Sequence, residues 1–149
     1  MEWFEAFEAK VGGRLRRALV AAFGPDIGAD AAAAATAYGW EHRRRLEKMD
    51  NPAGYLYRVG QTAARRELRR RPLSPIPVEV VLPDVEPRLI AVLNDLSESQ
   101  RVCVLLVHAY QWRHQEVADL LGIDHSTVRT HVTRGLERLR STLEADRAN

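Results

Sequence analysis

Eight of the ten residues from His125 to Arg134 are polar, and six of them could do chemistry together: His125, Ser126, Arg129, Thr130, Thr133 and Arg134. Their chemistry is hydrogen bonding. Arginine can bond guanine through two parallel N–H groups, and serine, threonine and histidine can bond base edges or phosphates. Val128 and Val132, interleaved among them, are one helical turn apart. With both valines turned inward, the six polar groups fall on the outward side near the start of a helix, where a DNA-reading helix meets base edges. Arg113, His114 and Gln115 open the helix before it, whose first amides and positive dipole end suit a phosphate. An ordinary helical hairpin with a solvated polar face is the simpler alternative.

A second basic concentration lies upstream. Residues 1–71 hold 14 Lys/Arg against 9 Asp/Glu, residues 72–87 hold three acids and no base, and residues 88–149 hold 8 of each. The positive charge gathers in RRR at 43–45 and RRELRRR at 65–71. Such clusters can neutralise phosphates and make affinity depend on salt. No metal-ligand spacing, nucleophile-and-base pair or phosphate-cradling glycine loop stands out, so a binding protein without cofactor is expected rather than an enzyme. Cys103, the single cysteine, sits in the apolar run VCVLLV and reads as a core residue. MEWFEAFEAK is acidic and amphipathic, unlike a signal peptide, and no apolar run approaches the ~20 residues that span a bilayer. A cytoplasmic protein without membrane contact is expected.

Helices must position these groups. Val117, Leu120 and Leu121, then Val128, Val132, Leu136 and Leu139, give two helical periodicities separated by Gly122 to Asp124. Gly122 suits a left-handed turn residue, Ile123 can plug the gap, Asp124 can cap the second helix, and Ala118 lets the helices cross closely. This is the steric recipe of a helix-turn-helix. Two further helices are predicted ahead of it: Pro87 to Leu96, with Leu89, Val92, Leu93 and Leu96 inward, and SESQRVCVLLVHAY, started by a Ser97/Gln100 capping box.

The N-terminal part predicts three helices. The first carries Phe4, Phe7, Val11, Leu15, Leu19 and Ala22 to a stop at Gly24 and Pro25. The second runs from there through DAAAAATAYGW towards Leu46. Its alanines favour helix but bring little apolar area, leaving Tyr38 and Trp40 to supply grip. The third starts at an Asp50 or Asn51 cap with Pro52 in its first turn, and turns Tyr55, Leu56, Val59 and Ala63 inward. Between the two parts, residues 72–87 hold five of the seven prolines, which predicts a semi-rigid connector. The expected fold is therefore all-α, with a helical domain over 1–71, a linker over 72–87 and a helix-turn-helix domain over 88–149.

DNPAGYLYRV with its arginine-rich helix, the proline-rich connector, and LNDLSESQRVCVLLVHAYQWRHQEVADLLGIDHSTVRTHVTRGLERLR together resemble the extracytoplasmic-function sigma factors of bacterial RNA polymerase. NPAGYL and the EVADLLGI…STVRTHVTRGLERLR pattern are the most specific parts. The resemblance implies a region 2-like three-helix bundle and a region 4-like four-helix domain, acting as a transcription initiation factor on core polymerase, through its clamp and flap, and on promoter DNA. It implies minus-thirty-five contacts by the residues of the second helix and by Arg113, His114 and Gln115. The loop Glu47, Lys48, Met49, Asp50 and Asn51 matches the family's base-capturing loop, and Arg58, Gln61, Thr62, Arg65, Arg66 and Arg69 its promoter-melting face. An anti-sigma factor is a partner the family often has.

The departures from the family pattern are specific. The usual polymerase-binding helix resembles DLVQEAFLRAW; here the segment is DAAAAATAYGW, with Asp30 and Trp40 kept, Ala33, Ala34 and Thr36 at the glutamine, acid and phenylalanine positions, and Ala37 following. Thr62 stands where asparagine is usual, Gln111 replaces a glycine, and Arg113 a serine or threonine cap. A sigma-like helix-turn-helix regulator that does not bind core polymerase is therefore the alternative.

Overall fold

In a computed structural model, residues 2–71 and 87–148 are described, with backbone only for 87–90. Residues 72–86 of the expected 72–87 connector lie outside the described residues, as does the side chain of Leu89.

The N-terminal helices are α1 (Glu2–Phe23), α2 (Pro25–Glu41), α3 (Arg43–Glu47) and α4 (Pro52–Arg70). α1 and α4 both pack on α2. The alanines make that possible: Ala31, Ala32 and Ala35 are buried in the same cluster as Leu15, Leu19, Leu56 and Tyr57. At the α1–α2 crossing, a Cβ added to Gly28 would lie 2.5 Å from the Val20 Cα, so the backbones meet there with no room for a side chain. Asn51 caps α4 as expected, its Oδ1 accepting from the Gly54 amide at 3.0 Å, with Pro52 in the first turn.

The second helix stops earlier than Leu46. His42 turns the chain at φ −110°, ψ 23°, and its amide and its Nδ1 both engage the Tyr38 carbonyl, at 3.0 and 2.9 Å. The chain leaves helical geometry at His42, whose ring and amide share one carbonyl, and α3 starts as a separate turn whose Leu46 is fully buried.

The C-terminal helices are α5 (Pro87–Asp95), α6 (Glu98–Val104), α7 (His114–Leu121) and α8 (His125–Ala148). Ser97 and Gln100 form the expected capping box ahead of α6. The expected continuous helix through VCVLLVHAY does not form: the chain widens into a π-turn at Leu105–Ala109, where the amides of Tyr110 and Trp112 reach back to the carbonyls of Leu105 and Leu106. Buried Cys103 sits beside that turn, and burial pushes its thiol up to about 12, so it is a packing group rather than a nucleophile.

The two sets of helices share one continuous cluster of buried side chains, in which α1 meets α6 and the π-turn, and α4 meets α7. No helix among the described residues is long and apolar enough to cross a membrane.

Candidate nucleic-acid interface

The helix-turn-helix forms where its spacing predicts. Gly122 closes α7 at φ 68°, ψ 37°, the left-handed conformation glycine adopts without Cβ strain, and its amide returns to the Ala118 carbonyl at 2.9 Å. The Asp124 carbonyl accepts from the amides of Thr127 and Val128 to begin α8. Ala118, Val128 and Val132 are buried at the crossing.

Burying the valines turns the polar groups outward. His125, Ser126, Arg129, Thr130, Thr133 and Arg134 are all exposed. Thr130 donates its hydroxyl to the Ser126 carbonyl at 3.0 Å, which leaves its oxygen lone pairs free to accept. His114, at the start of α7, lies with its ring 5.5 Å from that of His125, so the two helix starts present one surface. Partial burial, then the nearby His125, Arg129 and His108, hold the His114 imidazole below its usual range. Exposed Arg113 and Gln115 flank it. The Arg113 amide is already taken: it donates to Glu116 Oε1 at 3.0 Å, and this hydrogen bond, followed by Arg14, keeps Glu116 well ionised.

The other expected face divides. Along α4, Arg58, Thr62, Arg65, Arg66 and Arg69 are exposed and Gln61 is half-buried. The preceding loop exposes Glu47, Lys48, Asp50 and Asn51 and half-buries Met49. Arg45 donates to the Tyr55 hydroxyl at 2.7 Å, which in turn lies 3.1 Å from that of Tyr38, so Tyr55 is tied into the protein rather than presented as a free stacking platform. Four of the expected contact residues also touch or approach the C-terminal helices, three of them while still exposed. Gln61 Nε2 and Arg65 Nη2 donate to the same oxygen, Glu98 Oε1, at 3.2 and 3.0 Å. Asn51 Nδ2 donates to the Asp119 carbonyl at 2.6 Å, and a Cβ added to Gly122 would come within 3.8 Å of Arg58 Nη1.

On α2, Asp30, Ala33, Ala37 and Trp40 lie on one exposed stripe, with Thr36 half-buried beside it. Trp40, 39 % exposed, is the large hydrophobic residue most open to solvent among the described residues. Phe4 packs edge-on beneath it at 5.7 Å, and the Arg43 guanidinium covers its other face at 4.1 Å.

Sequence reasoning missed the residues that join the halves. Arg101 donates to the carbonyls of Ala21 and Ala22, Arg14 pairs with Glu116 at 2.5 Å, and Trp112 is buried. No local signal marks them, because their partners lie some 80 to 102 residues away in the chain. No group of His, Cys, Asp and Glu among the described residues is arranged to hold a metal.

Residues 87–139 match the family model described as Sigma-70, region 4. The whole chain is similar in fold to the sigma factor RpoE solved in complex with the anti-sigma factor NepR from Bartonella quintana, with a TM-score of 0.70, 18 % identity, and 98 % of this chain and 99 % of that chain covered. No curated protein matches in sequence. Helical throughout the described residues, with its helix-turn-helix inside the region 4 match, the fold is similar to that of this sigma factor. The chain thus carries a segment that matches Sigma-70 region 4 at 87–139 and has a fold similar to that of this sigma factor.

Proposed function

We propose that the chain is a transcription initiation factor that joins core RNA polymerase and recognises a promoter at two places. The helices from residue 88 onward act as the region 4 domain, with Arg129, Arg134, His125, Ser126, Thr130 and Thr133 meeting the minus-thirty-five element in the major groove and Arg113, His114 and Gln115 meeting its backbone. Residues 1–71 act as the region 2 domain. Its α4 arginines follow the phosphates of the melted minus-ten strand, and the 47–51 loop receives an unstacked base. Residues 72–87 link the two. The observation that carries this reading is the coincidence of the region 4 match at 87–139 with an exposed polar face on α8, backed by buried Val128 and Val132.

The stripe Asp30, Ala33, Ala37 and Trp40 is the contact with the polymerase clamp, and the work takes place in the cytoplasm. An anti-sigma factor is a further partner, a reading supported by a similar sigma factor having been solved with one. The methyl-only middle of the α2 stripe favours a second reading, a DNA-binding regulator that works without core enzyme. Co-purification with core polymerase, followed by run-off transcription from a bound promoter, separates the two. Association and transcript support the initiation factor. Duplex binding without association supports the regulator.

A further inference from the structure

We propose that a cleft between α1 and α3 is a second nucleotide pocket, holding the base and phosphate that lie on the same strand beside the base received by the 47–51 loop. The inference rests on that proposed role of the loop. Trp3, Phe4, Arg43, Arg44 and Glu47 line the cleft, whose volume is about 180 Å³. Pockets for drug-sized ligands run from roughly 300 to 1,000 Å³, so this one suits a fragment, one flat ring with one anionic group. Its aromatic wall is already braced. Trp3 stacks on Phe7 with ring centroids 5.1 Å apart and 15° between the planes, and beside it Phe4 is buried edge-on against Trp40. An indole held in this way offers a π-face on which any base can stack.

The opposite wall gives a role to the RRR run at 43–45, which the proposed contacts leave without one. Arg45 is spent on the Tyr55 hydroxyl. Arg43 is fixed in place, its Nη1 donating to the Trp40 carbonyl at 2.8 Å while its guanidinium lies 4.1 Å from the Trp40 ring centroid. The ion pairs among the described residues engage Arg14, Arg65, Arg70, Arg71 and Arg113, and leave exposed Arg44 to solvent. Two guanidiniums beside an aromatic face repel a cation and select a flat guest that carries an anion. An acidic peptide could supply the anion, but continuity favours a nucleotide. Glu47 both lines the cleft and opens the 47–51 loop, so the guests of loop and cleft are close neighbours on one strand. Its carboxylate can accept an N–H from a base edge, and it keeps the phosphate on the arginine side.

The test uses the full chain and a fluorescent oligothymidine of roughly a dozen bases, within the span of single-strand sites, with anisotropy read over a range of salt. Trp3→Leu should weaken binding about fivefold or more, the loss expected for one stacked base, and Trp3→Phe should recover part of it. Arg44→Ala should flatten the slope of log affinity against log salt by about 0.7, one phosphate contact on a single strand, and Arg44→Lys should restore it. Circular dichroism checks that helicity is kept. Exposed Arg44 can be removed without touching the core, so its slope decides the matter even where Trp3→Leu loosens the fold. An oligothymidine carrying one iodouracil should cross-link to Trp3 under ultraviolet light. A wild type that binds no oligothymidine at low salt, unchanged affinity in Trp3→Leu, or an unchanged slope in Arg44→Ala would each overturn the pocket. An oligoglutamate peptide that binds through Trp3 and Arg44 where oligothymidine does not would overturn it too, and give the cleft to an acidic protein segment. Arg65→Ala/Arg66→Ala in the same assay keeps this apart from the functional reading. Strand binding that needs Trp3 and Arg44 but ignores those two arginines overturns the role of α4, and the reverse dependence overturns the pocket alone.

Discussion

The guanidinium of Arg14, from the middle of α1, lies 4.4 Å from the ring centroid of Trp112, the residue that leads into the helix-turn-helix. The same guanidinium reaches Glu116 at 2.5 Å, so one side chain holds both the ring and the acid that caps α7. Being partly exposed, the pair and the stack together should contribute about 1 kcal/mol. Arg14→Ala is expected to lower stability in urea by that amount at low salt and by less at high salt. Arg14→Lys should recover the ion pair but only part of the stacking, because an ammonium lacks the planar face.

On the proposed function, exposed Arg129 near the start of α8 reads a base edge. Arg129→Ala should cost about 1 to 3 kcal/mol against the cognate duplex and much less against duplexes altered at one base pair. Equal losses on cognate and random duplexes, measured at one fixed salt concentration, would make it a phosphate contact.

On the proposed function, His114 should make duplex binding respond to pH. Burial, His125, Arg129 and His108 hold its imidazole below the usual range, so the folded protein resists a proton that the unfolded chain accepts. As pH falls through about 6.5, the ordinary imidazole value, stability should therefore fall, and His114→Gln should lessen the fall. A phosphate beside the ring acts in the opposite sense. Duplex affinity should rise on acidification, with proton uptake on binding visible by calorimetry in two buffers, and His114→Gln should flatten that rise.

Gln111 occupies a position that asks for glycine. It is the one non-glycine residue among those described with positive φ, at 59°, on the turn between the π-turn and α7. An L-residue pays roughly 1 to 2 kcal/mol there, partly offset by the greater freedom glycine loses on folding. Gln111→Gly should stabilise the protein by about 0.5 to 1 kcal/mol, read as a higher urea midpoint with unchanged slope. Gln111→Val, with its branched Cβ, should destabilise it.

What was legible in the sequence is what depends on near neighbours. Gly122, Ala118 and Val128 specify the helix crossing through sterics within ten residues, and Ser97 and Gln100 specify a cap within three. The glycine missing at Gln111 was visible as a departure, and the positive φ supplies its cost. At His42, where the backbone turns to φ −110° while its ring and amide share the Tyr38 carbonyl, periodicity ran past the true helix end. The π-turn at Leu105 left no trace in an unbroken apolar run. On the candidate interface, outward placement of the α8 residues followed from two valines. The engagement of Gln61 and Arg65 with Glu98 could not be foreseen, since each side reads locally as an ordinary exposed helix residue.

The alanine stripe on α2 constrains whatever binds it. Asp30 and Trp40 stand ten residues apart, about 15 Å along the helix axis, and between them Ala33 and Ala37 present methyl groups with nothing to donate or accept. A visitor gains directional bonds at the two ends alone. It must be long, straight and closely contoured to touch both, and discrimination there becomes a matter of fit: one bulky side chain on this ridge would hold the visitor off along its whole length.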